Sequence, residues 1–219
     1  MTNHWRDLKN ADVILINGAN PAESHPVGFQ WFMKAKLDPE RGPGSGGGAK
    51  LIHADPRFTR TSAVADHYIR MRTGTDVAYF GGLINYVLQN KLYHEEYVLN
   101  YTNASFVVKE GYSFQDGLFS GYSKEKRTYD ASTWAYENTA PAKKLDEASA
   151  SGEGPATSGT DSSARRDINH ERSVLNLMKK HYERYTPQMV ETITGIPQAD
   201  FMKVAKIVGE MGRPDKVMS

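Results

Sequence analysis

Two short apolar runs constrain the fold of this chain more than any other feature. Val13, Ile14, Leu15 and Ile16 are consecutive within DVILING, and Leu51 and Ile52 lie at the centre of AKLIHAD. A strand without polar alternation has no face to offer water, so the first run belongs inside a parallel sheet covered on both sides. The second, over residues 49–55, is its expected partner. Between them, Gly18 falls in a tight connection and residues 24–36, SHPVGFQWFMKAK, read as a helix. Ser24 is the expected N-cap, and Pro26 falls in the first turn, where its missing amide costs little. Val27, Trp31 and Ala35 recur at four-residue spacing as the expected packing face. Strand, turn, helix and strand in this order close with the right-handed crossover of an α/β fold.

Residues 37–48 contain five glycines and two prolines, which excludes helix and strand and predicts a flexible surface excursion. Residues 59–66 read as a short helix and 67–71 as a brief extended piece. A longer helix is expected from Thr75 to near Gln89, with Val77, Phe80, Gly81, Ile84 and Leu88 along one side. Another is expected over 92–101, with Tyr97 and Val98 facing inward. Residues 102–138 are aromatic and aperiodic, an irregular arm. The polar stretch within 139–165 reads as disordered or a long loop. Helical periodicity returns over 169–185 through Val174, Leu175, Leu177, Met178 and Tyr182. Thr186-Pro187 has the form of an N-cap with proline at N1, opening a short helix that stops at Gly195. A final helix runs through Phe201, Val204, Ile207 and Val208, and the last residues end where a further element is expected to begin.

Composition removes several function classes. Lys and Arg number 27 against 26 Asp and Glu, a balance that argues against nucleic-acid binding through a broad basic surface. Cysteine is absent, so this chain alone builds no disulfide, thiolate metal site, iron–sulfur cluster or cysteine nucleophile. No apolar run is long enough for membrane insertion. The opening MTNHWRDLKNADVILING leads from polar residues straight into a strand, unlike a secretory signal. The seven histidines show no H-E-x-x-H or facial-triad spacing, and no nucleophile elbow is present.

The expected chemistry lies beyond the strand ends. A G-x-G-x-x-G fingerprint is missing, since the first turn reads GANPAESHP, but an α/β topology still opens a crevice there. Asn17, Asn20, Glu23, Ser24, Asp55 and Arg57 are its expected lining. Asp55 is placed either to accept from a ribose or guanine edge, or to serve as a turn or helix-capping aspartate ahead of Pro56. Ser24 either helps hold an anion or only caps a helix. Arg57, Arg60, Arg70 and Arg72 are close in sequence, and arginine forks suit phosphate; Arg60 and Arg70 are read as solvated. Gly74 serves a close backbone approach or a left-handed turn.

The words that accumulate along the chain resemble one family. MTNHWRDLKNADVILINGANPAESHPVGFQWFMKAK and AKLIHADPRFTRTSAVADHYIRMRTGTDVAYFGGLINYVL are similar to catalytic subunits of selenocysteine- or cysteine-containing formate dehydrogenases, in the molybdopterin oxidoreductase superfamily. EEYVLNYTNASFVV, FQDGLFSGY, KRTYDASTWAYE and HYERYTPQMVETITGIP extend the match, leaving out residues 42–48 and a polar stretch near 146–165. The resemblance implies a Rossmann-like αβα cofactor-binding domain with a parallel sheet, plus a helical C-terminal segment, together an internal piece of a larger subunit. Residues 1–100 would be the guanosine-end region, 101–168 an arm with a polar loop, and 169–219 a helical segment leading to the remainder.

By the same resemblance the cofactor is a bis-molybdopterin guanine dinucleotide carrying Mo or W, in an enzyme that oxidises formate to carbon dioxide. Gly18, Asn20, Glu23 and Ser24 would form its first loop, Asp55 and Arg57 would meet the guanosine portion, and Gly74 and Asp76 would contribute from TGTD. Arg57 and Arg72 are the phosphate-facing candidates. The catalytic selenocysteine or cysteine, its histidine and the 4Fe-4S cluster ligands would lie upstream, so no catalytic residue is expected here and the chain is expected to be inactive alone. The implied partners are the rest of the subunit and an iron–sulfur electron-transfer subunit, in a periplasmic or membrane-associated complex; a chain existing as written would be cytoplasmic. A free-standing nucleotide- or cofactor-binding module, or a piece of another molybdopterin oxidoreductase, is the alternative.

Overall fold

The computed structural model describes residues 4–42, 47–115, 117–139 and 164–219. Two compact units form: Met1–His94 with Tyr182–Ser219, and Glu95–His181. This division cuts across the three consecutive segments read along the sequence. The tract at 43–46 and the polar stretch at 140–163 lie outside the described residues.

The first unit is built on parallel strands β1 (Val13–Asn17), β2 (Lys50–Ala54) and β3 (His67–Ile69), in the order β1-β2-β3. Ile14 is level with Leu51, and Ile52 with His67. Residues 217–219 run parallel to the free side of β1: Met218 bridges Val13, and the Ser219 carbonyl accepts from the Leu15 amide at 2.8 Å. Apolar side chains cover both sheet faces, as the continuous strand runs require. Ile14, Ile16 and Leu51 pack with Phe29, Phe32 and Ala35 on one face. Val13, Ile52, Ala54 and Ile69 pack with Tyr79, Leu83, Val190, Phe201 and Val204 on the other.

The helices follow the sequence with instructive departures. One helix was expected after β1; two form, α1 (Pro21–Ser24) and α2 (Pro26–Leu37), joined at His25. Ser24 therefore does not cap α2. It ends α1, and its hydroxyl donates back to the Asn20 carbonyl at 2.9 Å. The packing face of α2 is Phe29, Phe32 and Ala35, while Val27 is 75% exposed. Helix α3 (Arg60–Val64) starts with a reciprocal box between Thr59 and Ser62.

Helix α4 (Asp76–Gln89) turns Tyr79, Gly82 and Leu83 inward and Val77 outward, a rotation away from the expected face. Its glycines set that rotation. A Cβ on Gly82 would fall 2.5 Å from Val190 Cγ2 and 2.8 Å from Phe201 Cζ, so only glycine lets the neighbouring helices approach there. In the second unit, α5 (Glu95–Tyr101) leaves Tyr97 exposed rather than inward.

The expected arm forms two short hairpins, β4 (Phe114–Gln115) with β5 (Leu118–Phe119) and β6 (Tyr122–Ser123) with β7 (Thr128–Tyr129). Phe106, Val107 and Leu175 are buried in this unit, and Glu137 accepts from Arg165 and Arg172. Helix α6 (Val174–Tyr182) begins five residues later than its periodicity predicts. The segment before it is occupied by bridges from Arg166 and Ser173 to Phe106 and Val107.

Helix α7 (Pro187–Thr194) begins and ends as predicted: the Thr186 side chain accepts from the Met189 amide, and Gly195 closes it at φ 76°. Helix α8 (Gln198–Gly209) completes the first unit, burying Phe201 and Val204.

Two carboxylates tie distant segments to this sheet. Asp12, nearly buried, accepts from the Gly42 amide on Oδ1 and the Val217 amide on Oδ2, each at 3.0 Å. Lys216 Nζ stands 3.8 Å from Oδ1 and donates to the Gly42 carbonyl. Asp66 Oδ2 accepts from Lys36 at 2.6 Å and from the Leu51 amide at 2.9 Å. Burial pushes the Asp66 carboxyl up, but the Lys36 ammonium and the Leu51 amide outweigh it and hold the group below its ordinary value.

Asp12→Ala strands two amides and an ammonium and should cost about 3 kcal/mol, read from the urea midpoint. Asp66→Asn should lower the melting temperature at pH 7 by about 2–4 °C. Because the folded carboxyl is the stronger acid, its contribution is complete above the unfolded pKa of about 3.9 and disappears as pH falls through the lower folded value. Melting curves of wild type and variant should therefore converge in strong acid.

Candidate functional site

The carboxyl ends of the parallel strands gather three loops of the first unit into one place. The first follows β1, where Gly18 takes φ 61° and its amide donates to the Ala54 carbonyl at 2.9 Å. Asn20 then reaches across to α3: its Oδ1 accepts from Thr61 Oγ1 at 2.8 Å and its Nδ2 donates to Glu23. The Ala22 amide donates to the same threonine hydroxyl at 3.1 Å, and Glu23 pairs with Arg60 at 3.3 Å. Asn20 and Glu23 are thus held together with α3, whereas the Ser24 hydroxyl is turned to Asn20 and His25.

The second loop follows β2. Asp55 Oδ1 accepts from the Arg57 amide at 2.7 Å, the turn bond that one sequence reading anticipated. Oδ2 remains, 3.8 Å from His53 Nε2. The Tyr68 hydroxyl donates to the Asp55 carbonyl at 3.0 Å. Burial and the nearby Asp55 carboxylate push the Tyr68 phenol up against a smaller pull from Arg70, so it stays a donor. The exposed Arg57 guanidinium has no partner among the described residues.

The third loop follows β3. Gly74 takes φ 78°, and Thr75 Oγ1 donates to the Arg72 carbonyl at 2.7 Å. Asp76, in the first turn of α4, accepts from Asn17 Nδ2 at 2.7 Å, which joins this loop to the end of β1. Asn17 Oδ1 is buried and has no hydrogen-bond partner. Arg72 is committed to helix α7: its guanidinium donates to the Thr192 and Ile193 carbonyls at 2.7 and 3.0 Å. Beside it opens a cleft of about 740 Å³ bordered by Pro56, Tyr68, Arg70, Thr73, Ile196 and Asp200.

Sequence reasoning found the three loops but missed much of what holds them. Thr61, Tyr68 and His53 were not singled out, and Arg70, set aside as solvated, borders the cleft. The Thr59–Ser62 capping pattern marks where α3 begins, and nothing local places that start beside Asn20. The cleft wall at 194–200 had no signal, being more than 120 positions from the residues it faces.

The polar groups left over at this end are few. Asn17 Oδ1 is a buried acceptor without a hydrogen-bond partner, the Asp55 turn leaves Oδ2 unused, and Arg57 carries an exposed guanidinium fork of the kind that suits phosphate. Among the described residues no three His, Asp or Glu side chains group as metal ligands, and no helix is long and apolar enough to cross a membrane.

Comparison with known proteins places the sequence. The chain is 47% identical over 221 residues to the formate dehydrogenase-O major subunit of Escherichia coli, matching 100% of this chain and 19% of that protein. It is 45% identical to the formate dehydrogenase subunit alpha of Megalodesulfovibrio gigas and 43% to the formate dehydrogenase major subunit of Haemophilus influenzae. These cover 99% and 100% of this chain and 19% of each relative. The chain therefore spans about a fifth of the length of the curated relatives it matches. The molybdopterin oxidoreductase family pattern extends over residues 1–210. With that pattern over nearly the whole chain and relatives above 40% identity, the chain belongs to the molybdopterin oxidoreductase family.

Proposed function

We propose that this region holds the guanosine-diphosphate end of a bis-molybdopterin guanine dinucleotide, carrying Mo or W, within a formate dehydrogenase catalytic subunit. The observation that carries the reading is the convergence of three loops at the sheet's carboxyl end, where the Asp55 turn leaves Oδ2 unused and Asn17 Oδ1 is without a hydrogen-bond partner. The strand order supports it: β3, β2, β1 is the order of a Rossmann-like mononucleotide half, with 217–219 in the place of the next strand, and ligands of such halves lie at the strand carboxyl ends.

Asp55 Oδ2 accepts from the guanine edge or ribose while Oδ1 keeps the turn closed. Arg57 meets a phosphate. Asn20 and Glu23 shape the first loop, and Asp76 ties Asn17 at the end of β1 to the third. Gly18 and Gly74 give the turns their left-handed geometry. Arg72 acts from behind, fixing α7 as one wall. When bound, the metal–pterin group supplies the two-electron oxidation of formate to carbon dioxide; this chain's residues bind and orient its tail. The remainder of the catalytic subunit and an iron–sulfur electron-transfer subunit are the partners of this reading, in a periplasmic or membrane-associated complex. Alone, the chain is inactive.

GDP is the probe. Calorimetric titration of the 219-residue chain should show GDP binding in preference to ADP. Asp55→Asn keeps the turn acceptor but replaces the free oxygen with an amide donor, so GDP affinity should fall about tenfold with the melting temperature nearly unchanged. Equal binding of ADP and GDP, or no loss in the variant, removes the guanosine assignment.

A further inference from the structure

His53 has no part in the reading above, yet it sits in the sheet's middle strand with 0% exposure and both ring nitrogens engaged. Nε2 lies 2.9 Å from the Ala19 carbonyl oxygen, and Nδ1 lies 2.8 Å from Ser62 Oγ. A carbonyl only accepts, so Nε2 carries the proton; in the neutral ring Nδ1 is then the acceptor and the Ser62 hydroxyl donates to it. Burial pushes the imidazole below its ordinary pKa, outweighing the Ala19 carbonyl and Asp55, which pull it up. Ser62 Oγ accepts in turn from the Thr59 amide at 2.8 Å. One ordered series of protons thus runs from the start of α3, through the middle of β2, to the turn between Gly18 and Asn20.

An aliphatic side chain would fill this position with less desolvation. It would also leave the Ser62 hydroxyl without its acceptor and the Ala19 carbonyl free to turn away. The imidazole does what no aliphatic residue does: it fixes the orientation of one peptide plane in the loop that carries Asn20. That plane matters because the Gly18 amide is bonded to Ala54 on the other side of it, so the turn is gripped from two strand positions.

We propose that His53 is a positioning residue, its Nε2–H tautomer holding the Ala19 peptide so that the first loop is preset for the nucleotide. The proposal rests on the guanine-nucleotide reading for its purpose, and on the hydrogen-bond geometry for its mechanism.

Two substitutions separate the bonds. His53→Gln places an amide N–H near Nε2 and keeps the grip on Ala19; His53→Asn places an oxygen near Nδ1 and keeps only the Ser62 bond. Nitrogen-15 NMR of the wild-type chain should show a neutral ring protonated on Nε2. GDP affinity should fall about tenfold in His53→Asn and stay within about threefold in His53→Gln. Amide exchange at Gly18 and Ala22 should quicken in the Asn variant only. A merely structural histidine would lower the melting temperature of both variants without this split.

A ring protonated on Nδ1, an imidazolium, or equal behaviour of the two variants would overturn the proposal. Should wild type bind no GDP, the nucleotide reading fails by itself, while the tautomer and the exchange contrast still decide the clamp. Should the Asn variant fail to fold, Ser62→Ala decides, since it leaves the Nε2 bond intact and should spare the exchange at Gly18.

Discussion

A parallel sheet this small survives only if both faces of its middle strand are kept dry, and the rest of the first unit follows from that requirement. Leu51, Ile52, His53 and Ala54 are all essentially inaccessible. Leu51 needs the aromatic face of α2, and Ile52 and Ala54 need the layer made by α4, α7 and α8. Those helices come from opposite ends of the sequence. The loops leaving the strands then pass over the carboxyl end, where their polar side chains bond to one another.

The polar wiring at that end does two jobs with one set of bonds. Asn20 to Thr61, Asn17 to Asp76, and Tyr68 to the Asp55 carbonyl each join neighbouring loops. Some of them also leave part of a side chain's capacity unused. Asp55 is the clearest case: one oxygen closes the turn, so the turn-forming role and the proposed ligand-accepting role do not compete, the second falling to the other oxygen. Arg72 shows the opposite outcome, with its guanidinium donated to helix carbonyls.

Local signals were legible and non-local ones were not. The strands, the N-cap at Thr186 and the left-handed stop at Gly195 depend on neighbours in sequence, and their residues announce them. Which side of a helix faces inward depends on what approaches it. Val27 and Val77 match a helical period, yet both are exposed, because Phe29 and Gly82 meet the better partners. The same reasoning explains the site. DPR and TGTD mark loops by composition, while His53 hides within an apolar run and acquires meaning only once Ala19 and Ser62 are beside it.

The pairing of 217–219 with β1, held by Asp12, bears on how the first unit comes into being. Its sheet joins residues near positions 13 and 218, with all of Glu95–His181 made in between. During synthesis β1, β2 and β3 emerge before Glu95–His181, but α7, α8 and the segment beside β1 emerge only after it. Until then one sheet face and one sheet edge lack their cover. Closing so long a loop slows assembly far more than it weakens the finished unit, since loop entropy grows only with the logarithm of length while rates follow contact order. The second unit, contiguous in sequence, is free of that delay. On the ribosome it has the means to fold before the unit that encloses it in the chain.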